Sequence, residues 1–171
     1  MTSAFTKNKP IIFIKFGRKL KAKVMKRNEI IGKIIEEQQK IIENLQNSVN
    51  QYKSESDMDE DNTSDPDDFA RQTEAKDMQL RFEKMLAEAK QNLAFMENEV
   101  DSSHSEPESG ALIETDKNWL FVGISVPQFK FDGKDVVSFS EDAPIFAKVK
   151  GKKTGDTIEI GNNSFEIKSV M

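Results

Sequence analysis

The chain contains no cysteine. That excludes disulfides and thiolate metal sites, and it suits a reducing compartment. It has one histidine, His104, in a polar stretch, so no Ser-His-Asp or Cys-His set presents itself. Long hydrophobic runs are missing as well. The short run from Ile11 to Phe16 is interrupted by Lys15 and followed by a basic stretch. It falls far short of the ~20 residues of a membrane span, and it lacks the apolar length and small-residue cleavage site of a signal peptide. These absences point to a cytoplasmic protein. Its 171 residues suggest one or two small domains.

Charge is abundant and unevenly placed. Residues 1–28 hold nine of the 25 Lys and Arg residues and no acid, which leaves 16 basic against 30 acidic groups in the rest, a balance of −14. A body that acidic repels nucleic acid, so direct duplex binding is disfavoured and a basic protein surface is the natural partner. The densest charge lies in Ser54–Asp68, where eight of fifteen residues are acidic and none is basic. The first 24 residues are basic and without clear helical periodicity. They read as an extension ahead of a start at Met25, or as a disordered basic arm.

From Asn28 to Tyr52, apolar residues recur at Ile31, Ile34, Ile35, Ile41, Ile42, Leu45, Val49 and Tyr52, interrupted by Gln38 and Gln39. Spacings of three and four make one stripe of a helix. After the acidic segment the pattern returns at Met78, Phe82, Met85, Leu86, Ala89, Leu93, Met96 and Val100. Two helices with one apolar face each are expected to pack as an antiparallel coiled-coil hairpin over residues 25–100, with the acidic segment 54–68 at its tip. At ~1.5 Å per residue the rod would be roughly 38 Å long. Ser102–Gly110 reads as a linker, and His104 within it receives no role.

From Ala111 onward the period changes. Ala111–Thr115, Trp119–Ser125, Val136–Phe139, Thr157–Ile160 and Ser164–Val170 are short β-prone runs, with turn signals at Asp132-Gly133 and Gly161-Asn162-Asn163. Phe129 and Phe131 alternate on a further strand and suit core packing better than base stacking. Pro144 is placed to begin a short helix ending near Lys150. The expected fold class is α+β: the hairpin, a linker at 101–110, and a small, mostly antiparallel β-rich domain at 111–171.

One segment carries a resemblance. Ser140-Glu-Asp-Ala-Pro144-Ile-Phe-Ala-Lys-Val149-Lys-Gly151-Lys-Lys-Thr-Gly155-Asp156 resembles the C-terminal signature of the GreA/GreB transcript-cleavage factors, and the stretches ETDKNWLFVGIS and FDGKDVVSFS resemble small Gre-like proteins of the Bacteroidetes type. The order of parts is similar over roughly Met25–Met171. The sequence departs from the pattern at Ala143, Phe146 and Lys150. The resemblance implies an FKBP-like C-terminal domain and a transcription elongation factor that binds RNA polymerase as a monomer. Such a factor inserts its coiled coil into the secondary channel and stimulates the polymerase's own cleavage of backtracked transcripts, so the chain would be no enzyme alone. RNA and DNA would be met only through the polymerase. Family tips carry Asp-x-x-Glu, which places Asp65 and Asp68 as the catalytic carboxylates. They would be ligands of a Mg²⁺ shared with the polymerase active site, with Asp for Glu at 68 and Phe for Asn at 69. Asp59, Glu60 and Asp61 form a second candidate cluster. Asp142, Ala143, Pro144 and Ile145 would help dock the small domain on the channel rim.

Other readings stand beside this one. Asp65 before Pro66 is also an ordinary helix N-cap, and Asp67 and Asp68 suit the positive end of a helix dipole. The same docking without cleavage would make the chain a secondary-channel inhibitor or modulator. A prolyl isomerase or chaperone, or a helical adaptor for another partner, is a further alternative. Residues 57–61 lack the glycine and distal glutamate of a calcium loop, and Gly151-Lys152-Lys153-Thr154 lacks the spacing of a phosphate loop.

Overall fold

The computed structural model describes residues 10–57 and 65–171, with side chains from Leu20 onward. The fold is α+β. Two long antiparallel helices, α1 (Pro10–Ser56) and α2 (Pro66–Glu99), precede a small domain of six strands and one short helix. The strands are β1 (Leu112–Thr115), β2 (Asn118–Val122), β3 (Phe129–Phe131), β4 (Lys134–Phe139), β5 (Thr157–Ile160) and β6 (Asn163–Val170). The short helix α3 (Pro144–Val149) lies between β4 and β5. None of the described helices is long and apolar enough to cross a membrane.

The helical stripes pack against each other as their spacing requires. Ile31, Ile34, Val49, Leu86, Ala89 and Met96 are buried, and Tyr52 stacks on Phe82 with ring centroids 5.4 Å apart. Burying each large aliphatic side chain contributes about 1.5–3 kcal/mol. Gln38, which breaks the stripe in sequence, is 2% exposed. Its amide donates to the Ala89 carbonyl at 2.9 Å, so the polar interruption is satisfied across the interface. Met85 departs from expectation: it is 50% exposed, while Ala75 and Gln79 take buried positions on α2.

The helix α1 starts at Pro10 rather than after Met25, so residues 10–24 form its first turns. From Lys23 to Ile34 this helix lies across one face of the sheet. Lys23 Nζ donates to the Val170 carbonyl of β6 at 3.0 Å, and Lys26 pairs with Asp132 in the β3–β4 turn. Ile30, Ile31, Ile34 and Met96 share one core with Leu112, Trp119, Phe121, Ile124, Val136 and Met171. The foot of the hairpin and the sheet are thus a single packed unit.

The sheet order is β3-β4-β2-β1-β6-β5. It is mixed, not simply antiparallel: β4 slots between β2 and β3 and runs parallel to β2, with Trp119 opposite Val136 and Phe121 opposite Ser138. Alternation along β2 sends Trp119 and Phe121 to the helical face, and Leu120 and Val122 to the other. That second face is covered by α3, through Ile145, Phe146 and Val149. The β3–β4 hairpin turns at Asp132 (φ 52°) and Gly133 (φ 78°), the two positive angles of a type I′ turn.

Candidate functional site

The tip carboxylates sit where the helix ends put them. Asp65 has extended backbone angles, and its side chain accepts a hydrogen bond from the Asp67 amide at 3.1 Å. Its own carbonyl accepts from the Asp68 and Phe69 amides at 3.1 and 3.3 Å. Pro66 occupies the first helical position and Asp67 and Asp68 the first turn, where the dipole favours negative charge. Asp65 is therefore the N-cap of α2, with one carboxylate oxygen engaged by the cap and the second not used by it.

Asp65 and Asp67 are exposed, and Asp68 is half-buried. An Asp68 oxygen lies 4.0 Å from the Arg71 guanidinium, an exposed i,i+3 pair of small energetic weight. The second candidate cluster, Asp59, Glu60 and Asp61, lies outside the described residues.

The end of α1 has the opposite electrostatics. Ser54 and Ser56 bond back to the carbonyls of Asn50 and Lys53 at 3.1 and 2.9 Å, which competes with regular continuation of the helix. Glu55 and Asp57 stand at this C-terminal end, where carboxylates are unfavourable. Capping thus accounts for Asp65, Asp67 and Asp68 but not for Glu55 and Asp57. Ser56 meets Gln79 at 3.2 Å, not a residue of the first turn of α2. The initial turns of α2 project past the end of α1, and they carry Phe69, 69% exposed. Phe69 falls outside the apolar stripe of α2, and that misfit was the available signal that it faces outward.

As metal ligands these groups offer hard carboxylate oxygens, the donor type Mg²⁺ prefers. Among the described residues no group of three or more His, Asp or Glu side chains could hold a metal ion.

The expected docking residues lie at the entrance of α3, on the face of the sheet opposite the hairpin. The Ala143 amide donates to the Ser140 carbonyl at 3.1 Å, closing the turn, and Pro144 follows as the first helical residue. Asp142 and Pro144 are exposed. Ala143 and Ile145 pack against the second core, so a partner would reach them only in part.

The junction at 101–110 is tied down more firmly than a linker. Arg27, 3% exposed, donates to the Glu99 carbonyl at 2.8 Å, the Val100 carbonyl at 3.4 Å and the Gly110 carbonyl at 2.9 Å. Burial pushes its pKa down, and the Glu99 carboxylate 3.7 Å away opposes that shift. His104, given no role by its sequence context, lies between Glu99 at 2.8 Å and Glu108 at 2.9 Å. Glu108, four residues after His104, was the one legible hint of this pairing. The sequence matches no protein-family model and no curated protein.

Proposed function

We propose that the chain is a Gre-like factor of RNA polymerase, whose small domain docks on the enzyme while the hairpin carries Asp65 and Asp68 into the secondary channel. The supporting observation is the placement of charge. Carboxylates crowd the free end of a rod whose other end is built into a folded domain, and two of them, Glu55 and Asp57, oppose the dipole of the helix that carries them. The resemblance at Ser140–Asp156 and the order of hairpin and mixed sheet favour the same reading.

In this reading the protein is not an enzyme by itself. Asp65 and Asp68 would share a Mg²⁺ with the polymerase active site, where a second metal ion activates water for phosphodiester hydrolysis. The residues of this chain orient and deliver. The cap fixes the Asp65 backbone, Pro66 stiffens the turn, and the foot of the hairpin sets the direction of approach. Asp142 and Pro144 are the outward groups available to the channel rim.

A second reading has its own observation. The Asp65 carboxylate already serves as a cap, and Asp68 is shorter than glutamate and stands near Arg71. Both features favour a modulator that occupies the channel without promoting cleavage. The deciding experiment is RNA cleavage in purified backtracked elongation complexes, with the intact protein and with Asp65→Asn/Asp68→Asn. Mg²⁺-dependent cleavage lost in the double variant supports the cleavage factor. Binding to polymerase without cleavage supports the modulator. Absence of binding overturns both.

A further inference from the structure

A cleft of about 790 Å³ opens where α1 crosses the end of the sheet. This is within the size of sites that take small molecules, roughly 300–1,000 Å³. Its walls include Leu20 and Lys23 of α1, Glu114 of β1, Trp119 of β2, and Lys168 and Met171 at the end of the chain. Leu20 and Met171 give it apolar surface, and the lysines give it positive charge.

Lys26 at the wall pairs with Asp132, and of the lysines that line this cleft only Lys23 is without a carboxylate partner among the described residues. The Lys23 ammonium is half-buried, and its hydrogen bond goes to a carbonyl, that of Val170 at 3.0 Å. The nearby carboxylate is already engaged: Glu114 holds Lys134 at 3.2 Å and accepts from Ser169 at 3.3 Å. Lys168 pairs with Glu166 at 2.7 Å, with both side chains about half exposed. A pair of that kind is weak and exchanges readily for another anion. Trp119 is 1% exposed, and its indole Nε1 is buried with no hydrogen-bond partner. A buried donor without an acceptor is uncommon in a folded protein.

We propose that this cleft binds an organic anion, a carboxylate or phosphate group carried on an apolar body. The anionic end lies at Lys23 and Lys168, and the apolar body lies against Leu20 and Met171. The Trp119 ring forms part of the wall, and its orphaned indole N–H is buried. Burial lowers the pKa of Lys23, and an anion beside it would reverse that penalty. The site is distant from the hairpin tip, and the proposal stands whether or not the chain acts on polymerase.

Trp119 is the only tryptophan, so its fluorescence reports on the cleft. The test titrates the full-length protein with decanoate, decyl phosphate and neutral decanol, all below their aggregation limits, with calorimetry as a second readout. Saturable binding of decanoate or decyl phosphate is expected, at least about tenfold tighter than decanol, and the preferred head group identifies the natural source. Lys23→Gln should weaken binding about tenfold or more. If that variant does not fold by circular dichroism, Lys168→Gln, at an exposed position, should show the same direction of loss. No saturable binding of either anion, equal affinity for decanol, or unchanged affinity in a folded lysine variant would overturn the proposal.

Discussion

The side-chain amide of Gln38 donates to the backbone carbonyl of Ala89 across the hairpin, at 2.9 Å and almost out of reach of water. A polar residue in such a seam trades stability for register, because only one alignment of the helices satisfies it. Gln38→Ala should destabilise the protein by about 1–3 kcal/mol, through lost packing and a lost buried hydrogen bond. Gln38→Leu should be neutral or stabilising, because the Ala89 carbonyl belongs to a helix and keeps its backbone partner. Urea unfolding of both variants measures the difference.

Arg27 is the only described cation that joins α1, α2 and the start of β1's approach at one point, through the Glu99, Val100 and Gly110 carbonyls. Arg27→Met should cost about 1–3 kcal/mol, since it leaves the Val100 and Gly110 carbonyls without their buried donor, while the Glu99 carboxylate keeps His104. The same knot is sensitive from the other side. Gly110 has φ +89°, and a Cβ there would collide with the Glu99 carboxylate and His104. Gly110→Ala should cost more than about 1 kcal/mol, read by thermal or urea unfolding.

The capping role of Asp65 and its proposed role as a metal donor are separable by substitution. Asparagine caps helices about as well as aspartate, so Asp65→Asn should change stability by less than about 0.5 kcal/mol. Asp65→Ala removes the acceptor for the Asp67 amide and should cost about 1 kcal/mol. If the carboxylate serves as a metal donor, both variants lose transcript cleavage to the same extent. If it serves as a cap alone, any loss follows stability and appears only in the alanine variant.

Alkaline pH offers a separate test of the foot of the hairpin. Burial lowers the pKa of Lys23 below its ordinary 10.5, with Glu114 opposing. The unfolded chain therefore holds this proton more tightly than the folded one. Stability rises as pH climbs from the lowered value towards 10.5, then levels. The Lys26 pKa is raised, first by its hydrogen bond to Asp132, so its contribution is present below 10.5 and fades at higher pH. Comparing urea midpoints of the intact protein and Lys23→Met across the alkaline range isolates the first effect: the rise attributable to Lys23 should vanish in the variant.

The features visible in the sequence were those that depend on neighbours in sequence. The stripes of Ile31, Ile34 and Val49 and of Leu86, Ala89 and Met96 follow from the helical period. Asp132-Gly133 and Pro144 mark their turn and helix start through backbone preferences. The features that escaped depend on distant partners. The stretch of α1 from Arg27 to Ile34 faces the sheet as well as α2, so burial at Arg27, Ile30, Ile31 and Ile34 covers a wider arc than a single stripe and blurs the period. The parallel pairing of β2 with β4 leaves no local trace, because it is decided by where the β3–β4 hairpin inserts. At the candidate site, the cap at Asp65 was readable from the residue before a proline. The outward turn of Phe69 was legible only as its misfit to the apolar stripe, and the overhang of α2 required the packed partner helix.

Because Ile30, Ile31, Ile34 and Met96 belong to the same core as Trp119 and Phe121, the hairpin behaves as a pointer fixed in its mount. Whatever grips the sheet also aims the far end, and no search over angles remains to be completed on docking. The arrangement magnifies error: at roughly 40 Å from the mount, each degree of tilt displaces the tip by about 0.7 Å. A substitution in the Trp119 layer, far from any carboxylate, would therefore act on the tip as misalignment.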